Sequence, residues 1–385
     1  MEGQIATTVK IEVKDNDIVA SLQVFLKSVL EQPRIGAMLV SQHLPMKNVV
    51  MPTLVTDPEA LEGADPLAPS FPLNAAKLVS RLTRKPSGAI IAAVLRPCEI
   101  RAFVELVKLN QAGRENLMLI GFDCLGAYKN SDYLKIADKD GNKTTQKFYE
   151  QVLLENDLSS EEIEISNACK ACEHPVPKGV DITIGLLGAP VKDYLWIKAD
   201  TAEGENILAK LNLTSADEPR DRNRAVELLL EKRLAYRDRM FEENHSATGN
   251  IEKLTTYLAG CVNCYNCRVA CPVCYCRECV FVTDVFDHEP AQYLRWSNRK
   301  KLIKMPTDTV FYHITRLAHM STACVGCGQC SNACPNDIPV MELFRTVAHK
   351  TQQAFAYEAG RNLDEPPPLS VFKEDEFKEL TAINE

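Results

Sequence analysis

The chain has 385 residues, 45% hydrophobic and 25% charged, proportions that exclude wholesale disorder and collagen-like or coiled-coil architecture, over a length that suits two or three domains. A formal net charge of −8 gives no electrostatic basis for binding nucleic acid. No run approaches the ~18 uncharged apolar residues of a membrane span, and the first residues lack the basic and apolar regions of a secretion signal, so a cytoplasmic protein with no direct membrane span is expected.

Short β-branched runs alternate with helical periodicity through residues 1–213, the pattern of an α/β domain. In chain order the spacing predicts a helix over Ile18–Leu30, a strand over Gly36–Ser41, a helix over Leu73–Leu82, a strand over Ala89–Leu95 and a helix over Glu99–Leu109. Strands over Leu117–Phe122 and Asp181–Leu187 follow. Residues 214–260 read as a polar linker containing Pro219, then a docking helix with Ala225, Leu228, Leu229, Leu234 and Met240 on its apolar side. Residues 261–363 form a mainly helical, cysteine-rich domain. Within it a helix opens at Thr307 or Asp308 and carries Val310, Ile314, Leu317 and Met320 on one face, and another runs from Val340 to about Tyr357. Arg295, Arg299, Lys300, Lys301 and Lys304, with Trp296 among them, make a basic stretch that reads as a solvated face. Residues 364–385 form an acidic tail.

Fifteen cysteines are the anomaly. In a reducing compartment structural disulfides are rare, which leaves metal or redox ligation as the default reading. Eleven of them lie between Cys261 and Cys334. Cys261, Cys264, Cys267, Cys271-Pro272 and Cys324, Cys327, Cys330, Cys334-Pro335 are two copies of C-x₂-C-x₂-C-x₃-C-P. This is the two-cluster bacterial ferredoxin signature, in which the fourth cysteine of each run ligates the other run's [4Fe-4S] cluster. On that reading Cys261, Cys264, Cys267 and Cys334 hold one cluster, and Cys324, Cys327, Cys330 and Cys271 hold the other. A zinc ribbon also uses C-x₂-C pairs, but it has no use for a third cysteine two residues on. Cys274, Cys276 and Cys279 remain: they are either buried thiols or help bind a further cluster or a neighbouring subunit's centre.

In the first half, Cys98 and Cys124 each follow a predicted strand, where α/β sheets place their ligands. With Cys169 and Cys172 they make four thiolates, enough for a third [4Fe-4S] cluster. The order Pro97-Cys98-Glu-Ile-Arg-Ala, Ile120-Gly-Phe-Asp-Cys124, Cys169-x-x-Cys172 and Val180-Asp-Ile-Thr-Ile-Gly185 resembles the flavin-containing beta subunit family of the F-420-reducing hydrogenases and formate dehydrogenases. Pro52-Thr-Leu-Val-Thr-Asp-Pro-Glu-Ala-Leu61 and the segment from Trp196 to Leu208 fit the same order of elements, whereas Ala64–Pro72 departs from the family's usual sequence.

The resemblance implies an N-terminal α/β flavin and iron–sulfur domain that holds FAD and a cluster on Cys98, Cys124, Cys169 and Cys172. It implies hydride exchange with coenzyme F-420 or NAD(P)H, and a catalytic partner protein: a formate dehydrogenase, a hydrogenase or a heterodisulfide-reductase-like enzyme. No Gly-x-Gly-x-x-Gly occurs in the chain, so a standard Rossmann NAD site is absent. The alternative is a flavin-free electron wire within a larger redox complex. No residue is singled out as catalytic or as flavin-contacting, and the seven histidines read as structural.

Overall fold

The computed structural model describes residues 7–45, 48–137, 141–154, 159–160, 163–276, 278–283, 289–300 and 308–371. The strands are β1 (Thr8–Glu12), β2 (Ile35–His43), β3 (Val50–Val55), β4 (Ile90–Leu95), β5 (Leu117–Phe122), β6 (Ser159–Ser160), β7 (Ile163–Glu164), β8 (Ile182–Gly185), β9 (Tyr194–Ala199) and β10 (Thr214–Ser215). The helices of the first half are α1 (Ile18–Leu30), α2 (Ala76–Leu82), α3 (Pro97–Lys108), α4 (Asn130–Ile136), α5 (Gly141–Leu154), α6 (Asn167–Lys170) and α7 (Ala202–Lys210). Those that follow are α8 (Arg222–Thr248), α9 (Ile251–Tyr257), α10 (Asn266–Ala270), α11 (Pro290–Lys300), α12 (Asp308–Met320), α13 (Gln329–Asn332) and α14 (Val340–Ala354).

Among the described residues one sheet has eight strands in the order β10-β1-β9-β8-β5-β4-β2-β3. Its centre, β2-β4-β5-β8, is parallel. Antiparallel pairs close both sides, β3 on β2 and the β8-β9-β1-β10 group opposite. Every residue of β5 is buried, as expected of a parallel strand covered on both faces. The alternation is visible in the packing: Ala92, Val94, Met118 and Ile120 join one apolar cluster with α1, while Ala93, Leu95, Leu117 and Leu119 join the other.

That second cluster runs on without a break into the cysteine-rich half, through Leu258, Val273, Tyr312, Val325, Leu343, Phe344 and Tyr357. The two halves therefore share a core, and buried polar bonds reinforce the joint. Arg101 Nη2 donates to the carbonyl of Ala359 at 2.6 Å, Tyr357 Oη to Glu105 at 2.6 Å, and Gln329 Nε2 to the carbonyl of Phe71 at 2.9 Å.

The long helix α8 departs from the expected apolar stripe. Leu228 is exposed, and the buried positions include Arg222 and Arg233 beside Leu229 and Met240. Both arginines have partners in the sheet domain, described below. Ala64–Phe71, the stretch without counterpart in the resemblance, is buried throughout. Thr307, Lys301, Lys304 and the tail beyond residue 371 lie outside the described residues. Among the described residues no helix is long and apolar enough to cross a membrane.

Candidate metal centres

The first group forms where the central strands end. The chain leaves β4 at Leu95 and turns at Arg96 into α3, placing Cys98 in the helix's first turn. Glu99 fixes that turn by accepting the amide N–H of Arg96 at 2.9 Å and of Ala75 at 2.7 Å. Beyond β5, Asp123 accepts the amides of Leu186 at 2.8 Å and Leu187 at 3.0 Å, tying the Cys124 loop to the end of β8. Cys169 lies on α6 and Cys172 just after it. Cys98, Cys124, Cys169 and Cys172 line a common cavity with Arg96, His174, Arg233 and Cys327.

The surroundings are cationic. Arg96 points Nη1 at Cys124 Sγ, 3.7 Å away, and donates through Nη2 to the carbonyls of Ala68 and Ser70. The buried Ala64–Phe71 stretch therefore serves as the clamp that aims this guanidinium. Arg233 Nη2 donates to the carbonyl of Cys124 at 3.1 Å, and its Nε is buried without a partner among the described residues. Burial pushes the Cys98 thiol well up, with Glu99, Cys327, Cys124 and Cys172 adding to the rise. Burial and Cys124 push Cys169 up in the same direction. Such thiols stay protonated on their own, whereas coordination to a metal deprotonates them.

The second group lines another cavity: Cys261, Cys264, Cys267 and Cys334, walled by Tyr265, Tyr312 and His313. In the third, Cys271 stands close enough to Cys324, Cys327 and Cys330 to raise each of their thiols electrostatically, adding to the larger effect of burial. The fourth cysteine of each run thus lies with the first three of the other, and the helices that lead to those fourth cysteines, α10 and α13, pack against each other.

The two runs also share a backbone. Asn263 and Tyr265, on either side of Cys264, have φ of +51° and +58°, and Gly326 and Gly328, on either side of Cys327, have +69° and +79°. Left-handed residues between right-handed ones turn successive N–H groups inward and make an anion-binding nest. Glycine adopts this freely, but for a tyrosine it costs on the order of 1–3 kcal/mol, strain of a kind that clusters at functional sites.

The groups are contiguous. Cys327 belongs to the third and also lines the first group's cavity. A Cβ on Gly328 would stand 2.4 Å from that of Ala168, the neighbour of Cys169.

Cys274 lies beside Cys271, and burial and that neighbour raise its thiol to about 11. Cys276 is exposed and Cys279 half-buried. Among the described residues, no three His, Cys, Asp or Glu side chains converge on a single metal ion.

Sequence reasoning missed the side chains that face the sulfurs. Arg316 Nη1 donates to Cys267 Sγ at 3.1 Å, Tyr312 Oη lies 3.5 Å from the same sulfur, and His313 Nε2 lies 3.4 Å from Cys261 Sγ. All three sit on α12, inside the insertion between the cysteine runs. Their one-sided spacing on a helix that ends at the second run is the signal that could have found them.

Two known families match stretches of the chain. Residues 89–218 match the family described as the C terminus of the coenzyme F420 hydrogenase/dehydrogenase beta subunit, and residues 257–338 match a 4Fe-4S dicluster domain. The F420-dependent formate dehydrogenase subunit beta of Methanocaldococcus jannaschii is 25% identical over 353 residues, 83% of this chain and 86% of that protein. The subunit beta of F420-dependent formate dehydrogenase 1 from Methanococcus maripaludis is 26% identical over 309 residues, 73% of this chain and 76% of its own length. A chain in the xenon-derivatised F420-reducing [NiFe] hydrogenase complex of Methanosarcina barkeri overlaps 64% of this chain and 94% of its own, at 15% identity and a TM-score of 0.43.

Proposed function

We propose that the chain is a member of the beta subunit family of the coenzyme F-420 hydrogenases and dehydrogenases, with a dicluster module appended, and the electron-transfer subunit of an oxidoreductase complex of formate dehydrogenase or hydrogenase type; the matches of residues 89–218 and 257–338 and the two formate dehydrogenase relatives support this reading. The observation that carries this is the gathering of twelve cysteines into three contiguous groups of four, reaching from the strand ends of the sheet domain to the surface at exposed Cys264.

The residues fit [4Fe-4S] clusters. Each ferredoxin-type run has left-handed residues on both sides of its second cysteine, the backbone from which anion-binding nests are built. Buried guanidiniums with orphaned Nε atoms, Arg233 and Arg316, face anionic ligand sets. On this reading Cys98, Cys124, Cys169 and Cys172 hold one cluster, Cys324, Cys327, Cys330 and Cys271 the next, and Cys261, Cys264, Cys267 and Cys334 the outermost. Such clusters supply one-electron transfer at potentials set by net charge, hydrogen bonds to sulfur and exposure. The chain's own part is to fix their spacing through the shared core and to place guanidiniums against the thiolates.

In the fuller form of the proposal, drawn from the family, the sheet domain would also hold FAD, which would supply the conversion between two-electron hydride chemistry and one-electron carriers, with F-420 or NAD(P)H as the hydride substrate. The second reading is a flavin-free wire. The cavity beside Cys327 measures about 140 Å³, but another, lined by Leu125, Gly188, Arg224, Leu228 and Lys232, measures about 310 Å³ and reaches the ~300 Å³ of organic-ligand sites, so cavity size does not separate the two readings. Mixing the anaerobically purified chain with reduced F-420, NADH or NADPH decides: bleaching of the cluster absorbance by one carrier supports the fuller form, and reduction by dithionite alone supports the wire.

Cys327→Ala is expected to lower the iron content by about four per chain, the loss of one cubane, with any flavin retained. Flavin loss in that variant would show that the two halves do not load independently, and iron measured beside flavin absorbance distinguishes the outcomes.

A further inference from the structure

Arg316 is 4% exposed, and among the described residues no carboxylate pairs with it. A buried cation without a partner is expensive, so its surroundings must provide the negative charge. They are sulfur. Nη1 donates to Cys267 Sγ at 3.1 Å and Nη2 to the carbonyl of the same residue at 3.2 Å, while Nε has no partner among the described residues. The guanidinium is held between the rings of Phe344, 4.6 Å from its centroid, and Tyr312, at 5.6 Å. Cys271 and Cys330, of the neighbouring group, also act on it. Arg316 therefore stands in the gap between the two ferredoxin-type groups, bonded to one and within electrostatic reach of the other.

Among the described residues the neighbouring group has no equivalent. Among the described residues no cation bonds one of its sulfurs: Arg345, already matched by the carboxylate of Glu173, and Arg101 act on Cys324 only at a distance, and the cation acting on Cys330 is Arg316 itself. Resting on the cluster assignment above, we infer that Arg316 is a positioning residue that raises the reduction potential of the centre held by Cys261, Cys264, Cys267 and Cys334 above that of its neighbour. The reduced cluster carries one more negative charge than the oxidised one, so a fixed cation and a hydrogen bond at its thiolate stabilise the reduced form more. Tyr312 Oη stands 3.5 Å from Cys267 Sγ and His313 Nε2 3.4 Å from Cys261 Sγ, and a bond donated by either to a thiolate would act in the same sense. The outer centre, with Cys264 at the surface, then becomes the downhill end of the path at which an electron waits for a redox partner protein.

The test is a potentiometric titration followed by EPR on the anaerobically purified full chain, with iron counted in each sample, for wild type, Arg316→Gln and Arg316→Lys. Arg316→Gln keeps a donor without the charge, and Arg316→Lys keeps the charge without the fork. The expected result is unchanged iron and a shift of one ferredoxin-type signal to more negative potential, larger in Arg316→Gln than in Arg316→Lys, with a smaller shift in the other signal. Full iron with both midpoints unmoved in Arg316→Gln would overturn the inference, and so would loss of iron in both variants, which would make Arg316 a structural anchor. A wild type without two ferredoxin-type signals would instead overturn the cluster assignment on which the inference rests.

Discussion

Cys98→Ser is expected to remove one cubane, about four irons per chain, while leaving both ferredoxin-type EPR signals in place. Cys98 sits in the first turn of α3 with Cys124, Cys169 and Cys172 around the same cavity, so a serine there leaves three thiolates and a weakly coordinating hydroxyl. The eight cysteines of the other two groups lie on α10, α13 and the segments on either side of them, and none of them is on the α3 turn. The expected signature is selective loss. Iron and acid-labile sulfide measured beside EPR check it, and an unchanged iron content would remove the assignment of a cluster to this group.

Arg222→Ala is expected to have the largest effect on stability, about 3–5 kcal/mol, the range for breaking a buried ion pair by removing one partner. Arg222 meets Asp123 through two bonds, Nη1 to Oδ2 at 2.5 Å and Nη2 to Oδ1 at 3.0 Å, and Asp123 is fully buried. The guanidinium also lies over the Trp196 ring, 5.0 Å from its centroid. Without it, Asp123 retains two backbone amides and an uncompensated charge next to Cys124. Asp123→Asn in the Arg222→Ala background should therefore recover part of the loss, since the cost comes from the stranded carboxylate. Denaturant midpoints of the single and double variants measure both. A double variant no more stable than Arg222→Ala alone would show that Arg222 acts through packing on Trp196 instead.

These two sites mark the boundary of what the residues disclose on their own. Helix α1 was readable to its ends, because eight buried positions recur at helical spacing behind an Asp17 cap that accepts the amide of Ala20 at 2.9 Å. The strands β4 and β5 stood out as continuous apolar runs, the mark of parallel strands covered on both faces. The antiparallel margins did not. Pairing of β1 with β9 joins Val9 to Ile197, and nothing local to either strand specifies a partner so distant in the chain.

Cysteine spacing indicated which residues belong together because ligand geometry imposes spacing directly. The arginines gave no such sign: nothing in the sequence singles out Arg96, Arg233 or Arg316, and only the fold shows that each is buried against a cysteine. The Ala64–Phe71 stretch was opaque for a related reason, since its role is played by backbone carbonyls that accept from Arg96.

The central claim is that three groups of four cysteines each hold a [4Fe-4S] cluster. Iron, acid-labile sulfide, zinc and flavin, determined per chain on protein purified without oxygen, test it most directly. The account predicts about twelve irons with as many sulfides and no stoichiometric zinc. Zinc in place of iron, with no labile sulfide, would contradict it.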